Sequence, residues 1–544
     1  MARFAERQLS DWSHHCFISI VVLTLIGCDS SQDKFLGTAR VHTEELLKRG
    51  IGGDPATLDP GKAVDTYSFE VLRDLYEGLT TESPSGEILP GVASSWTVSK
   101  SGTEYRFTLR HDAKWSNGVP VRAQDFVQEW RRVVDPKEGS PVSDILRPIA
   151  GAASIISGHS APSELGAYAP RDDFLIVKLG QPAPFFPQVL THSATFPVYA
   201  ESRAKSGDPA HWITNGPYIL SNWTPGSKLE LMRNPAYRDH SNVRISRVEF
   251  IPVSDENAEL RQYRAGQLDI TEGVPPGALS EIRAERPNEL AIAPFLGTAY
   301  FVLNLRETTF RTNDAIRKSL AMAIDRRMLM SSLLPFGQLA AYGFVSIGTW
   351  NYQPQSWNWK DIPDNKRIAE ARRLYLQAGY SADKPLKLRI LYNSNDLTKL
   401  VTIAMASMWK ETLGIETTLI NEEYRVFLQS RKDAARWDVI RLGWTADYND
   451  ASNFLDTLRH DSPNNDAGYS SREYDSLLDR AASTADSETR RKLLESAEQV
   501  MLSDYPIIPI YFYSSRHLIK PYIKGFQFNP LNRIYSKHLT IEPH

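Results

Sequence analysis

The sequence LKLRILY at residues 386–392 has the alternation of a β-strand, and IETTLI (415–420) and WDVIRL (437–442) follow it as two further strand-like segments. A helical pattern lies between the first two. It begins after Asn395, a residue type that caps helices, and it ends at Gly414. Strands that alternate with helices predict βαβ units, a mostly parallel sheet and right-handed crossovers.

Similar patterns lie on both sides of this segment. Helical spacing is also found at residues 123–134, 313–334, 365–379, 422–432 and 488–503. Turn-rich alternation predicts antiparallel strands in 86–116 and 213–252. The sequence therefore predicts several α/β lobes within one chain.

The composition excludes several classes of protein. A chain of 544 residues is long enough for about three or four domains. With 42% hydrophobic and 23% charged residues it is an ordinary globular chain, and its mean hydropathy of −0.36 excludes a polytopic membrane protein. A net charge of −3 makes nucleic acid an unsuitable main partner. After Cys16 and Cys28 there is no thiol for a disulfide, a cysteine zinc site or a cysteine nucleophile.

The N-terminus contains one strongly apolar run, residues 16–28. It is too short to span a membrane, which takes about 20 residues, but it suits the core of a signal peptide. Its end, Leu25-Ile26-Gly27-Cys28, resembles the bacterial lipobox, in which the cysteine is lipidated. We therefore expect Cys28 to carry a lipid anchor and the following Asp29 to favour the inner membrane. A buried strand is the alternative for this run.

A search for catalytic and cofactor motifs finds none. The sequence has no GxSxG elbow, no phosphate-binding glycine loop with Lys-Ser/Thr, no HExxH and no EF-hand loop. Glu422 and Glu423 are an acidic pair, but a solvated helix start explains them better than a glycosidase site does. We expect a protein that is not an enzyme and that uses no metal and no cofactor.

One cluster, RLGWTADYND at residues 441–450, has the composition of a binding site. It follows the third strand, and ligands of open α/β sheets bind beyond the carboxyl ends of strands. Gly443 permits close backbone approach, Trp444 offers a rigid face, and Arg441 and Asp447 provide a fixed base and a fixed acid. Such a pair suits a zwitterion. The alternative is that Asp447 is a cap and that Arg441 is paired internally.

Landmarks along the whole mature length resemble the oligopeptide-binding proteins of bacterial ABC importers, which form solute-binding protein family 5. The match to the oligopeptide branch rests also on Leu391-Tyr392-Asn393 and on residues 461–466. In chain order the main landmarks are Thr57-Leu58-Asp59-Pro60, Tyr76-Glu77-Gly78-Leu79, Ala113-Lys114-Trp115-Ser116-Asn117-Gly118, Thr214-Asn215-Gly216-Pro217-Tyr218, Arg233-Asn234-Pro235-Ala236-Tyr237, Ala323-Ile324-Asp325-Arg326 and Gly443-Trp444-Thr445-Ala446-Asp447-Tyr448-Asn449.

The resemblance implies an α/β fold of the periplasmic-binding-protein type (type II), a clamshell of two mixed lobes joined by a hinge, with an inserted extra domain. The chain would divide into a signal peptide, a lipidated tether, a first lobe in three pieces, the extra domain and a second lobe. The expected boundaries, in that order, are 1–27; 28–37; 38–67, 194–297 and 513–544; 68–193; and 298–512.

The resemblance also implies roles for individual residues. Main-chain groups of 443–445, and of Asp54 to Ala56 on the opposite side, would pair with an extended peptide, with Trp444 as a wall of the cleft and Thr445 as a hydrogen-bonding position. Asp447 matches the aspartate that binds the α-amino group. Arg441 and Arg431 match arginines that meet the C-terminal carboxylate. Some relatives have a histidine for that purpose where this chain has Thr398.

The implied function is that of the substrate-binding component of an ABC peptide importer. The protein would be a monomer, lipid-anchored on the periplasmic side of the inner membrane, that delivers short peptides to a permease and ATPase complex. Two alternatives stay open. One is a murein-peptide receptor on the same scaffold, and the other is a peptidase or other hydrolase that uses the cleft.

Overall fold

The computed structural model describes residues 45–205, 212–334 and 336–543. The predicted signal peptide, the tether and the lipidation site Cys28 lie outside the described residues. None of the helices within the described ranges is both long enough and apolar enough to cross a membrane.

The strands run through the whole described chain. In order they are β1 Leu46–Ile51, β2 Thr80–Glu82, β3 Ile88–Pro90, β4 Ala93–Val98, β5 Glu104–Leu109, β6 Ala167–Arg171, β7 Phe174–Lys178, β8 Tyr218–Thr224, β9 Lys228–Arg233, β10 Arg247–Pro252, β11 Leu290–Leu303, β12 Leu339–Ala340, β13 Lys387–Asn393, β14 Glu416–Glu422, β15 Val439–Thr445, β16 Ile507–Leu518, β17 Ile523–Lys524 and β18 Thr540–Ile541.

The helices vary from one turn to five. In order they are α1 Thr66–Leu75, α2 Ala123–Val134, α3 Ala152–Ile156, α4 Phe186–Val189, α5 Glu256–Arg264, α6 Leu279–Glu285, α7 Thr308–Arg311, α8 Asp314–Met322, α9 Arg326–Met328, α10 Asp364–Gln377, α11 Asp396–Leu413, α12 Tyr424–Ser430, α13 Ser452–Leu455, α14 Arg472–Ala482 and α15 Ser487–Asp504.

Three main sheets organise these elements. The first has the order β1-β10-β9-β8, the second β4-β5-β7-β6, and the third, with six strands, β12-β16-β11-β15-β13-β14. One apolar core surrounds the six-stranded sheet and contains residues between Leu260 and Leu518. The other core joins the two four-stranded sheets, so that Trp130 of α2 and Val248 of β10 belong to the same cluster.

The six-stranded sheet is mixed, and the prediction of a mostly parallel sheet is wrong. Strand β13 does lie parallel to β14 and to β15, as the βαβ pattern requires. The remaining pairs, β11 with β15, β11 with β16 and β12 with β16, are antiparallel. Local alternation identifies a strand but not its partner, and β11 and β16 enter this sheet from distant parts of the sequence.

The helix predictions agree well at their capped ends. Residues 123–134 form α2 as predicted. In α11 the Asn395 side chain accepts a hydrogen bond from the Thr398 N–H, and Gly414 ends the helix with a left-handed φ of 75°. The single helix predicted at 313–334 is wrong, because α8 ends at Met322. The Asp325 side chain then caps the Met328 N–H and starts a new short helix.

The residue after the break at Asp325 is a buried cation, Arg326. Arg326 is 1% exposed, and its guanidinium donates to the carbonyls of Ala341 and Pro509. It also lies over the rings of Tyr342, Trp357 and Trp359, between 5.0 and 5.8 Å from their centroids. This arginine therefore ties the segment after α8 to strand β16.

We predict that Arg326→Ala lowers the free energy of unfolding by about 3 kcal/mol or more, because buried carbonyls lose charge-assisted hydrogen bonds. Arg327→Ala is the matched control. Arg327 is exposed and pairs with Asp364 at 3.1 Å on the surface, so its loss should cost less than about 1 kcal/mol. Urea unfolding of both variants measures the difference, and equal losses would contradict this role of Arg326.

Candidate functional site

Strand β15 has a free edge. On one side it pairs with β11 from Val439 to Thr445. On the other side β13 pairs with it only at Val439 and Ile440. Strand β13 ends at Asn393, where the chain turns to start α11. The edge from Leu442 to Thr445 therefore has no neighbouring strand among the described residues.

The hydrogen-bonding groups that face this edge are those of Gly443 and Thr445. The Ala446 N–H donates to the Leu296 carbonyl, so that pair is hydrogen-bonded to β11. In an antiparallel ladder such pairs alternate with pairs whose N–H and C=O groups point the other way. Gly443 and Thr445 belong to that second set, and they offer their main-chain groups to an added strand.

Gly443 has a close neighbour that the sequence does not show. The sequence suggests close approach of another backbone. In the structure, a Cβ atom at this position would overlap the hydroxyl of Tyr513. The ring of Tyr513 stacks on Phe295, with centroids 5.7 Å apart, and it covers the face of β15 beside the free edge.

Asp447 lies just beyond the end of β15 and carries a carboxylate without an ion pair in the described part of the chain. Its Oδ2 accepts only a long hydrogen bond, 3.5 Å, from Asn453 Nδ2. Burial raises the pKa of the Asp447 carboxyl, and Asn453 and the charge of Arg533 only partly offset this effect. Asp447 is therefore a partly buried carboxylate, without an ion pair in the described ranges, that can bind a cation.

The alternative interpretation of Asp447 is a structural cap. In the structure this role belongs to the neighbouring Asp450. Its carboxylate receives two hydrogen bonds of 2.8 Å from Arg490 and also caps Ser452. Asp450 is therefore a satisfied, buried residue, whereas Asp447 is not.

Trp444 lies in the wall of a cavity that also contains Asp447. Its indole N–H donates to Asn453 Oδ1 at 2.9 Å, and the Asp447 N–H shares that acceptor at 3.2 Å. The cavity has a volume of about 710 Å³. Asp447 also lines a second cavity, of about 430 Å³, on the side of Arg533.

Arg441 and Arg431 line a third cavity, of about 360 Å³, together with Thr398. Arg441 is 7% exposed, and its Nη2 donates to the Tyr511 hydroxyl at 2.8 Å. No carboxylate pairs with it within the described ranges. Arg431 differs, because its Nη2 lies 2.6 Å from Asp466 Oδ2. The internal pairing proposed as the alternative for Arg441 thus applies to Arg431.

The first turn of α11 contributes to the same cavity. Thr398 and the N-cap residue Asn395 line it, so the positive end of an 18-residue helix faces the space beside Arg441. Thr398 stands where some relatives have a histidine. The cavity therefore offers two other positive groups, the N-terminus of α11 and the Arg441 guanidinium, which has no ion pair in the described ranges. Both favour a carboxylate.

Asp54 and Ala56 lie in the loop after β1 and are exposed. The Asp54 carboxylate accepts a hydrogen bond from the Gly226 N–H in the turn between β8 and β9. The main-chain groups of both residues lack a partner within the described chain. Neither residue lines the three cavities that contain Asp447 or Arg441.

Several residues that the sequence did not single out surround Asp447. Arg533 Nη2 donates to the main-chain carbonyl of Asp447 at 2.9 Å. The ring of Phe185 stacks on the ring of Tyr448, with centroids 5.0 Å apart. The Arg490 guanidinium lies over the same Phe185 ring. These contacts join residues that are 86 or more positions apart in the sequence, so no local pattern could have revealed them.

Comparisons with known proteins identify the family. The family model described as "Bacterial extracellular solute-binding proteins, family 5 Middle" matches residues 87–466. The periplasmic oligopeptide-binding protein OppA of Salmonella typhimurium is 37% identical over 513 residues, which cover 92% of this chain and 93% of that protein. The periplasmic murein peptide-binding protein MppA of Escherichia coli is 36% identical over 514 residues, which cover 93% and 95%.

Two solved structures show the same fold. The Escherichia coli murein tripeptide binding protein MppA has a TM-score of 0.81 at 35% identity, with 92% of this chain and 99% of that chain covered. Haemophilus influenzae OppA in complex with RPPGFSPFR has a TM-score of 0.78 at 35% identity and the same coverage. The predicted clamshell of mixed α/β lobes is confirmed, and the chain belongs to the bacterial extracellular solute-binding proteins of family 5.

Proposed function

We propose that this protein is the extracytoplasmic substrate-binding component of an ABC peptide importer and that it encloses short peptides as extended strands. The observation that carries the proposal is the free edge of β15, which lies between the unpaired carboxylate of Asp447 and the unpaired guanidinium of Arg441. A peptide is the ligand that combines an extended backbone with an ammonium at one end and a carboxylate at the other.

The positions of the two charges give the direction of the peptide. Asp447 follows the last residue of β15, and Arg441 lies near its start. The peptide N-terminus would lie at Asp447 and its C-terminus near Arg441, so the peptide runs antiparallel to β15. Arg441 and Thr445 are four strand residues apart, about 13 Å, which is the length of about four extended residues.

Main-chain pairing favours broad specificity. Hydrogen bonds from Gly443 and Thr445 would recognise the peptide backbone and ignore its side chains. The cavities beside Asp447 are large enough to hold peptide side chains together with water, which can adapt to different groups. We propose that sequence preference is weak and that the charged ends decide affinity. Closure of the two lobes would enclose the ligand.

The division into domains remains part of this proposal. The course of two long strands supports the expected boundaries. These divide the chain into a first lobe (38–67, 194–297 and 513–544), an extra domain (68–193) and a second lobe (298–512). Strands β11 and β16 pair along most of their lengths, with register shifts near Pro294, and the expected boundaries at 297 and 513 fall within them. Some apolar residues of the first lobe, such as Val248, share a core with the extra domain. Others, such as Ile282 and Leu296, belong to the core around the six-stranded sheet.

The MppA relative supports a second candidate, a murein-peptide receptor. Competition between tri-alanine and a murein tripeptide for the purified protein separates the two candidates. The relatives are binding proteins, and we propose that this chain likewise catalyses no reaction. Release of product from a peptide during prolonged incubation would instead support a hydrolase.

We predict that Asp447→Ala weakens peptide binding by about 3–5 kcal/mol, because an enclosed ammonium loses its counter-charge. Isothermal titration calorimetry with tri-alanine measures the change. Asp144→Ala is the matched control, since Asp144 lines the same cavity but pairs with Arg147 at its exposed rim. Unchanged affinity in Asp447→Ala would exclude this residue as the amine site.

We predict that Arg441→Met weakens binding of a free tripeptide by about 2–3 kcal/mol and weakens its C-terminal amide much less, because only the free peptide has the carboxylate. Arg431→Met should act mainly on stability, since Asp466 would lose its ion-pair partner. Calorimetry with both peptides and urea unfolding of both variants check the two expectations. Equal losses for acid and amide would contradict the role of Arg441.

We predict further that the protein is held at the periplasmic side of the inner membrane by a lipid on Cys28 and that it delivers peptide to a membrane permease driven by an ATPase. Labelling of cells with a fatty-acid probe should mark the wild-type protein and not Cys28→Ser, because lipidation needs the thiol. Cys16→Ser is the control and should keep the label. A label that persists in Cys28→Ser would contradict the anchor.

A further inference from the structure

The carboxylate of Glu82, at the end of β2, is saturated with hydrogen bonds. It accepts from Arg533 Nη1 at 2.7 Å and from Asn529, Tyr535 and Thr191 at 3.2 Å each. Glu82 is 2% exposed and Arg533 is 8% exposed. The Glu82–Arg533 pair is therefore a buried, neutral unit whose geometry is fixed from several sides.

Within this unit, the Arg533 guanidinium also contacts the main chain of the loop that contains Asp447. Nη1 of Arg533 also donates to Thr191 Oγ1 at 2.7 Å, and Nη2 donates to the Asp447 carbonyl at 2.9 Å. The guanidinium thus touches Asp447 through the backbone, while the Asp447 carboxylate forms no ion pair in the described ranges. Both residues line the cavity of about 430 Å³.

Arg533 contacts the main chain of Asp447 but forms no ion pair with the Asp447 carboxylate in the described ranges. Arg533 is the charged residue that lowers the Asp447 pKa against the effect of burial. In a partly buried site, an arginine and a free carboxylate attract each other strongly and readily form a bidentate pair. The other ionisable groups of this cavity are Arg73, His192 and Glu272. Burial lowers the pKa of His192 to about 3, so its ring is neutral.

An Arg533–Asp447 ion pair would fill the place that the peptide ammonium needs. We propose that Glu82 is a positioning residue that holds Arg533 away from the Asp447 carboxylate and so reserves this carboxylate for the ligand amine. The inference rests on the proposed function, in which Asp447 binds the peptide N-terminus. It adds that a residue with no contact to the peptide controls how strongly the site recognises an amine.

The test is the isosteric variant Glu82→Gln. It removes the charge that binds Arg533 and keeps the shape of the side chain. The measured quantity is the ratio of affinities for tri-alanine and N-acetyl-tri-alanine, obtained by calorimetry. We expect this ratio to fall by about tenfold in Glu82→Gln, because Arg533 turns to Asp447 and competes with the ammonium. The ratio should return in the double variant Glu82→Gln/Arg533→Gln, which lacks the Arg533 guanidinium that would compete with the ammonium.

Each result is decisive. If Glu82 is only structural, both peptides lose affinity equally, the ratio is unchanged, and the inference is overturned. A ratio that falls but is not restored by Arg533→Gln overturns it as well. If the wild-type protein binds both peptides equally, Asp447 does not recognise the peptide amine. That result contradicts the amine site of the proposed function and is distinct from a failure of the Glu82 inference. Should Glu82→Gln not fold by circular dichroism, Glu82→Asp is used. It retracts the carboxylate, and an unchanged ratio there also overturns the inference.

Discussion

The unpaired edge of β15 is the constraint on which the site depends. Strand β13 runs beside β15 for two residues and then ends at Asn393, because Asn395 caps α11. That one cap has two consequences. It leaves Gly443 and Thr445 without a neighbouring strand in the part of the chain that the structure describes, and it directs the N-terminus of α11 into the cavity beside Arg441. An exposed strand edge is a liability in most proteins, and here it lies in a cleft where a ligand can complete it.

The charges around this edge fall into two groups. Asp450 with Arg490, Asp466 with Arg431, and Glu82 with Arg533 are buried ion pairs in which each charge is neutralised within the protein. Asp447 and Arg441, in contrast, form no ion pair with any residue that the structure describes. A buried charge without a partner costs several kcal/mol, so a fold that keeps two such charges at opposite ends of one strand sacrifices stability. Under the proposed function, a zwitterionic ligand would supply both missing charges and offset that cost on binding.

The sequence predicted those features that depend on local chemistry. Residues 123–134 and the caps Asn395 and Gly414 behave as expected, because capping and amphipathic spacing act within a few residues. The prediction of a binding cluster at residues 441–450 also rests on local chemistry, and it stays a prediction. The mixed sheet, the break at Asp325 and the role of Arg533 were not predictable in this way. They depend on contacts with Pro509, Glu82 and Asp447, and a pattern in one segment carries no information about such distant partners.

The structure also bears on peptide length. A carboxylate needs a cation at the position where the peptide ends. Arg441 is free to supply one, whereas Arg431 is held by Asp466 at 2.6 Å and could do so only by sharing or leaving that partner. Thr398 supplies no charge, but it belongs to the first turn of α11, where the helix dipole favours an anion. Under the proposed function, the carboxyl end of the peptide would lie chiefly at Arg441 and the amine end at Asp447. Because both residues belong to β15 or follow it directly, we expect the site to select the length of the peptide more strictly than its side chains.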